Sequence, residues 1–316
     1  MRWLRPRRDI MPEINGMLRT VEGRRVGEEI MQRWRNRIHH GLRWFAILIA
    51  VACTLFPFAY AFVLSLKPSA LEYRTLFIPF VQFRPTIAHW RWEWWQRHEI
   101  NGLGDGIRNS VVVGVTTAVM STSVGLLTAF GLRQMRATTR WAGGFIAFTL
   151  LPRIVPAVAL VTPIYFLSVQ THLHDTLIAL MLLHGSLALP LAVVVLDSAL
   201  REFPKDLIEA AKIDGATNLR VLWQIVTPLM RPMLIAVSTL SFALSWNDYI
   251  FAQTNHVQRA FTMPLSVSFL EERDGVQFEH VGSHLVLILL VPLLLGLVAQ
   301  RSVVRGLSLG AVRSDR

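Results

Sequence analysis

The fold of this chain is decided by the stretch EAAKIDG at Glu209–Gly215, which is followed at a distance by Ile225 and Pro228. The stretch carries charged residues, yet it lies between two long apolar segments of the sequence. A short polar element between apolar segments is typical of a membrane-protein loop that faces water. The sequence therefore predicts an exposed element that a partner can bind.

Local signals predict a helix, a sharp turn and a second helix in this loop. Pro204 suits the start of a helix because its φ is already helical and its missing N–H would have no partner there. Asp206 favours the first turn, where the helix dipole is positive. We expect the first helix to run from about Pro204 to Ile213. Gly215 then supplies the turn, because it adopts positive φ readily, and Thr217 caps the second helix.

One face of the predicted first helix carries small side chains. Leu207, Ala210 and Ala211 have the i, i+3, i+4 spacing that places residues on a single stripe. The two alanines would let another backbone, or the wall of a cleft, approach the helix closely. We therefore expect this stripe to be the surface that a partner contacts.

The composition indicates an integral membrane protein. Of 316 residues, 53% are hydrophobic and 17% are charged, and the mean hydropathy is +0.42. These values exclude an ordinary soluble domain. A transmembrane helix needs roughly 20 apolar residues, and we predict an all-α fold with six such helices. The six spans are Trp44 to Leu66, Ile107 to Leu132, Trp141 to Val169, Thr176 to Leu196, Pro232 to Gln253, and Leu285 to Val304.

Loop charges predict that both termini are cytoplasmic. The net charge of +11 could indicate nucleic-acid binding, but a basic excess in membrane-protein loops usually reports orientation. Arginines dominate before the first span, between the second and third spans, and in the tail. The third-to-fourth turn has no Lys or Arg, and the fifth-to-sixth loop is acidic overall. We therefore place Glu209–Gly215 in the cytoplasm and expect no nucleic-acid partner.

This orientation divides the chain into three parts. Residues 1–43 form a basic cytoplasmic extension, which is either a helix on anionic lipid headgroups or a poorly ordered tail. Residues 44–304 form the transmembrane domain, with the cytoplasmic loop at 200–230. Residues 305–316 form a cytoplasmic tail.

The loop resembles the cytoplasmic signature of permease subunits of ATP-binding-cassette importers. Glu209, Gly215, Ile225 and Pro228 match at the family's spacing, and Thr227 stands where the signature usually has Leu. The similarity is closest to the six-helix permease subunit of maltose-type carbohydrate importers. It rests on Ser65-Leu66-Lys67-Pro68, Asn109-Ser110, Ile213-Asp214-Gly215-Ala216, Trp246-Asn247-Asp248, and the ending from Gln300-Arg301 onward. The basic extension is not covered, and Arg153 departs from the subfamily's pattern.

The resemblance implies a type I importer in the bacterial inner (plasma) membrane, in which this chain forms half of the translocation path. The implied partners are a second permease subunit in a heterodimer, two ATPase subunits, an extracytoplasmic solute-binding protein and membrane lipids. The predicted helix would lie in a cleft of the ATPase, with Glu209 facing a basic group there. The residues expected to couple to the ATPase are Glu209, Ala210, Ala211, Asp214 and Gly215.

The sequence predicts a transport subunit and not an enzyme. A P-loop requires lysine after glycine, but Lys67, Lys205 and Lys212 follow other residues. We therefore expect this chain to bind no cofactor, with ATP and Mg on the partner ATPase. No cluster has metal-ligand spacing, and no nucleophile stands beside a base, so neither a metal site nor a catalytic site is expected.

Polar residues inside the predicted spans mark a candidate translocation path. A central charge costs about 2.5 to 3.5 kcal/mol on insertion scales, so Arg153 and Asp248 should face protein or water. The two could pair with each other, contact the second permease or hydrogen-bond a sugar. The candidate path residues are Arg153, Trp246, Asn247 and Asp248. His184, His284 and Tyr165 are expected to be packing or interface residues.

We interpret the chain as a permease subunit of an ATP-driven, binding-protein-dependent importer for a carbohydrate or polyol. The same machinery for a polyamine or another small solute is an open alternative. So are an ion-gradient secondary transporter and a membrane scaffold without transport.

Overall fold

The structure is a computed structural model that describes residues 11–68, 78–91, 103–136, 141–272, 275–276 and 278–311. The chain forms two compact units, residues 1–59 and 60–316. The first unit consists mainly of α1, Met11–Ser65, a helix of 55 residues that continues across the predicted boundary at residue 43. Residues 1–10 of the predicted extension and 312–316 of the tail lie outside the described residues.

The second unit contains the remaining elements. Its helices are α2 (Ala88–Arg91), α3 (Leu103–Arg136), α4 (Trp141–Ile154), α5 (Ala157–Gln170), α6 (Leu177–Glu202), α7 (Lys205–Ile213), α8 (Asn218–Val221), α9 (Thr227–Leu229), α10 (Arg231–Trp246), α11 (Ile250–Asn255) and α12 (Phe278–Ala311). A π-helical segment, Leu222–Val226, joins α8 to α9, and a 3-10 helix covers Pro264–Leu270. Two-residue strands, β1 (Glu271–Glu272) and β2 (Gly275–Val276), pair antiparallel.

The all-α membrane fold is confirmed. In the described part of the chain, four helices are long and apolar enough to cross a bilayer, and they correspond to the predicted first, second, fourth and sixth spans. They are Arg35–Ser65, Leu103–Met135, Leu177–Glu202 and His280–Gln300. Asn218–Leu229 and Arg231–Trp246 together would make a fifth span, although they are bent by 81°. The count of six spans and the cytoplasmic termini stay predictions.

The predicted third span is not one helix. It is divided into α4 and α5, which have 14 residues each. Pro156 separates them in an extended conformation, with φ −57° and ψ 136°. A residue before proline disfavours helical ψ, so α4 ends before Val155. At 1.5 Å per residue each helix is about 21 Å long, which is shorter than the roughly 30 Å bilayer core.

The core lies where α3 packs along α6 and α10. Small residues permit this approach: a Cβ on Gly125 would lie 2.9 Å from the Cβ of Ala192, and one on Gly114 would lie 2.7 Å from the ring of Phe242. Apolar side chains of α3, α6 and the 200–230 loop pack together in one buried cluster. Its members include Leu126, Phe130, Leu196, Leu200, Ile208, Val221 and Val226. The loop is therefore packed onto the ends of two spans.

Candidate functional site

The 200–230 loop contains the predicted first helix. α6 ends at Glu202, and the buried Phe203 is its C-cap. Pro204 is the N-cap of α7, with φ −57° and ψ 116°, so the helix begins one residue later than expected. The missing N–H of proline suits this junction, and Asp206 lies in the first turn as predicted.

The turn after α7 has the backbone that the sequence predicts. Gly215 has φ +81°, the left-handed conformation that a side chain disfavours. The N–H of Gly215 donates to the Lys212 carbonyl at 3.0 Å, and the N–H of Ala216 donates to the Ala211 carbonyl at 2.9 Å. These bonds satisfy carbonyls at the helix end. Thr217 caps the next helix, because its side chain accepts from the N–H of Arg220 at 3.3 Å.

The two alanines of α7 do not face the same way, contrary to the predicted single stripe. Ile208 is buried in the core of the chain itself, and Ala211 packs against that core. Leu207 is 43% exposed and Ile213 is 86% exposed. At 100° per residue, Leu207, Ala210 and Ile213 share the opposite side of the helix, and Ala210 is exposed. We call these three residues the outward face of α7.

Glu209 lies on the inner side of α7, beside basic residues of this chain. It lines an open cavity together with Arg133, Arg201 and Lys212. That Glu209 faces a basic group on the ATPase stays a prediction. Asp214 is the C-cap of α7 and is exposed.

The second helix of the loop is interrupted before it reaches the fifth span. The chain forms a π-helical turn at Leu222–Val226. The Thr227 hydroxyl donates to the Leu222 carbonyl at 2.8 Å, a bond across five residues. Pro228 cannot donate a backbone hydrogen bond, which favours such a wider turn and a bend. The helix axis then turns by 81° at Met230.

A chain of hydrogen bonds connects the predicted second, fourth and fifth spans. His184 Nε2 lies 3.2 Å from Asp248 Oδ2, and His184 Nδ1 lies 2.8 Å from Ser245 Oγ. Thr117 Oγ1 donates to Ser245 Oγ at 3.4 Å. If the imidazole proton is on Nε2, Nε2 donates to Asp248 and Nδ1 accepts from the Ser245 hydroxyl. The order Thr117, Ser245, His184, Asp248 thus satisfies each donor in turn.

The suggested pair between Arg153 and Asp248 is absent in the described residues. Arg153 is exposed, and its Nε donates to the Leu187 carbonyl at 3.4 Å. Asp248 bonds to His184 and accepts the N–H of Ala252 at 3.1 Å. A largely buried carboxylate is costly without a hydrogen-bond partner, and His184 of α6 is that partner for Asp248. Nothing in the sequence spacing singles out His184 as that partner.

Trp246 is buried and Asn247 is exposed, although the two are neighbours in sequence. Trp246 is 1% exposed, stacks on Phe242, and donates its Nε1–H to the Ile288 carbonyl at 3.0 Å. Its indole therefore packs α10 on α12, and its place in the translocation path stays a prediction. Asn247 is exposed and ends α10, where its Nδ2 donates to the Ala243 carbonyl at 2.8 Å. Between Trp246 and Ile250 the helix is broken, so Asn247 and Asp248 lie at a discontinuity.

The Asp175 carboxylate joins the turn before α6 to the loop after α11, and we call this contact the Asp175 anchor. The Asp175 carboxylate accepts backbone N–H bonds from four consecutive residues, 257–260, at 2.9 to 3.1 Å. Burial raises the pKa of Asp175, but these bonds outweigh it and lower the pKa to about 2. Burial also lowers the pKa of His256, despite the attraction of Asp175 at 3.9 Å. The carboxylate charge is therefore met mainly by backbone dipoles.

A comparison with known protein families decides the identity. A sequence model of the family described as binding-protein-dependent transport system inner membrane component matches residues 121–307, which is more than half of the chain. The chain belongs to this family. It is a multi-pass permease subunit of the inner membrane and not an enzyme, and the predicted membership of the importer permeases is confirmed. No group of three metal-binding side chains occurs in the described part of the permease.

Individual relatives of the permease are named as transport proteins. The chain is 30% identical to the trehalose transport system permease protein SugB of Mycobacterium tuberculosis, over 84% of this chain and 94% of that protein. It is 27% identical to the trehalose/maltose transport system permease protein MalG of Thermococcus litoralis, over 85% and 95%. A chain of a bacterial ABC transporter that imports the acidic polysaccharide alginate has the same fold, with a TM-score of 0.66, 18% identity and coverage of 84% and 96%.

Proposed function

We propose that this permease forms half of the translocation path for a carbohydrate or polyol, and that α7 and its turn couple the path to an ATPase subunit. It works with a second permease subunit in a heterodimer, two ATPase subunits that carry ATP and Mg, and an extracytoplasmic solute-binding protein. The relatives named for trehalose and maltose transport support the substrate class.

The coupling role rests on the outward face of α7. Leu207 and Ile213 expose apolar side chains at the surface of a loop, and Ala210 between them allows close approach. The inner side of α7 is anchored by Ile208 in the core that includes α3 and α6. A displacement imposed on the outward face is therefore passed to the ends of two spans. The turn at Asp214 and Gly215 completes the protruding shape.

The path assignment rests on the break between α10 and α11. Irregular backbone at membrane depth is tolerated where it is buried or lines a water-filled cavity, and broken helices are common at transporter binding sites. Asn247 is exposed at this break, and the Asp248 side chain is 16% exposed while bonded to His184. Carboxylate and amide groups suit the hydroxyls of a sugar. Arg153, which is exposed, stays a further candidate for the same path.

The test is retention of the ATPase by variants of the outward face. The double variant Leu207→Glu/Ile213→Glu puts two charges on the surface that is proposed to enter the ATPase cleft. We expect it to reach the membrane but to lose the ATPase on gentle solubilisation and co-purification. The matched control is Val257→Glu, which adds a charge at a side chain that is 60% exposed on the outer loop. Normal retention of the ATPase by the double variant would refute the coupling role.

A further inference from the structure

The junction of α4 and α5 combines a cation with an interrupted backbone. Arg153, in the last turn of α4, is exposed, and its Nε donates to the Leu187 carbonyl at 3.4 Å. Pro156 has no N–H to donate, and its ψ of 136° is extended. The helix therefore cannot continue from α4 into α5. We call residues 153–157 the α4–α5 break.

The α4–α5 break lies at the depth of the middle of a span. Leu187, which Arg153 contacts, is ten residues from the start of α6. α6 has 26 residues and is long and apolar enough to cross a bilayer. At 1.5 Å per residue, Leu187 lies about 15 Å along a helix of about 39 Å. The α4–α5 break is therefore well inside a hydrocarbon core that is about 30 Å thick.

The rest of this chain leaves the α4–α5 break uncovered. Ile146, nearer the start of α4, packs on a buried cluster of α3 and α6. By contrast, residues 153–159 are all exposed, with Ile154 at 77% and Val158 at 71%. Among the described residues, no carboxylate forms an ion pair with Arg153. The cation and the broken backbone therefore face outward from this chain together.

Neither lipid nor water suits this surface. An exposed guanidinium is costly in hydrocarbon, and helix ends with unpaired carbonyl and N–H groups do not occur where lipid would contact them. Water would solvate Arg153, but it would also contact the apolar side chains of Ile154, Val155 and Val158. A protein surface that packs on these apolar side chains and offers an acid to Arg153 meets both requirements.

The second permease subunit fits this surface better than the other partners. Of the protein partners proposed for this chain, it is the one that is embedded in the membrane. A second copy of this chain would bring its own Arg153 to a symmetric contact, and the two cations would repel.

We propose that the α4–α5 break is a contact surface for the second permease subunit, and that an acidic side chain of that subunit pairs with Arg153 inside the membrane. The inference rests on the heterodimer of the proposed function. The guanidinium binds the carboxylate through paired N–H donors, and Ile154 and Val158 pack around the pair and exclude lipid. The observation that carries the inference is an exposed cation beside an interrupted helix in the middle of a span.

The first experiment identifies what contacts the α4–α5 break. The photo-crosslinking residue p-benzoylphenylalanine is placed at Val158 of the full chain, which is co-expressed with its partner subunits. After irradiation of the membranes, mass spectrometry identifies the crosslinked protein and its segment. We expect the second permease subunit, joined through a segment that carries an acidic residue. The same probe at Val257, which is exposed on the loop after α11, should not give this product.

The second experiment measures how fast the second permease dissociates from the solubilised complex. Arg153→Met removes the charge and should raise the dissociation rate about 30-fold, because the acid of the partner is left buried and unpaired. Arg153→Lys keeps the charge and should dissociate more slowly than Arg153→Met. The matched control, Arg259→Met, removes an exposed charge from the loop after α11 and should dissociate like the unmodified protein.

The outcomes separate this inference from the proposed function. The inference is overturned if the probe at Val158 crosslinks only lipid or a second copy of this chain, or if Arg153→Met dissociates within about threefold of the unmodified rate. If the second permease does not co-purify with the unmodified protein, the heterodimer of the proposed function is refuted as well. If it co-purifies but is not crosslinked at Val158, the heterodimer stands and only this inference fails.

Discussion

The Asp175 anchor makes a quantitative prediction about the loop after α11. The ordinary pKa of this carboxyl is 3.8, and the folded protein lowers it to about 2. This shift, slightly less than two pKa units, means that the folded loop favours the ionised carboxylate over the neutral one by about 2.5 kcal/mol. Asp175→Asn keeps the shape of the side chain and removes its charge. We expect residues 257–260 to open about 60-fold more often in this variant.

Hydrogen exchange of residues 257–260 measures this opening directly. Protection factors, corrected for the intrinsic exchange rate, should fall by about 60-fold in Asp175→Asn, in line with the free-energy change of about 2.5 kcal/mol. The matched control is Asp105→Asn, which alters an exposed carboxylate at the start of α3. Protection within threefold of the unmodified protein would refute the assignment of the anchor.

The same anchor predicts the sign of a pH effect. Because the folded pKa lies below the ordinary value, the stabilisation is fully present above about pH 4 and is lost as the pH falls toward 2. Protection of residues 257–260 should therefore decrease over this window in the unmodified protein. In Asp175→Asn it should stay constant over the same window.

Two further predictions concern the coupling turn and the polar chain. Gly215→Ala places a side chain at φ +81° and should destabilise the turn by about 1 to 2 kcal/mol, seen as faster exchange of its amides and reduced ATP-driven uptake. Gly131→Ala, a helical position where a new Cβ meets no atom within 4 Å, should leave that turn unchanged. His184→Ala removes the imidazole that bonds Asp248 and should lower uptake about tenfold, a loss of about 1.5 kcal/mol or more, while the ATPase still co-purifies. Thr239→Ala, which affects only a hydrogen bond within α10, should transport normally, and equal uptake by His184→Ala would contradict the path assignment.

Local signals explain why the backbone of the 200–230 loop was predictable. A helix at Lys205–Ile213, a glycine with positive φ and a Thr217 cap depend on residues within a few positions of one another. The side of α7 that is buried could not be predicted in the same way. It depends on Ile208 packing with residues of α3 and α6, which are distant in sequence. The predicted stripe was therefore wrong about Ala211 and right about the exposure of Ala210.

Partners distant in sequence explain the other differences. His184 and Asp248 are 64 residues apart, and no spacing rule links them. Asp175 and the amides of 257–260 are more than 80 residues apart, and backbone donors leave no signal in the sequence. The break at Pro156 did have a local signal, because proline disfavours a helix before it. The apolar composition around it outweighed that signal in the prediction of one long span.

The bend at Met230 has a mechanical meaning. The segment Asn218–Leu229 meets α10 at 81°, which is close to a right angle. A push along the first segment is therefore directed almost wholly across the axis of α10 and hardly along it. A force along Asn218–Leu229 would therefore displace α10 sideways and not along its axis. Ser245, which bonds to His184, lies at the end of α10 opposite this bend.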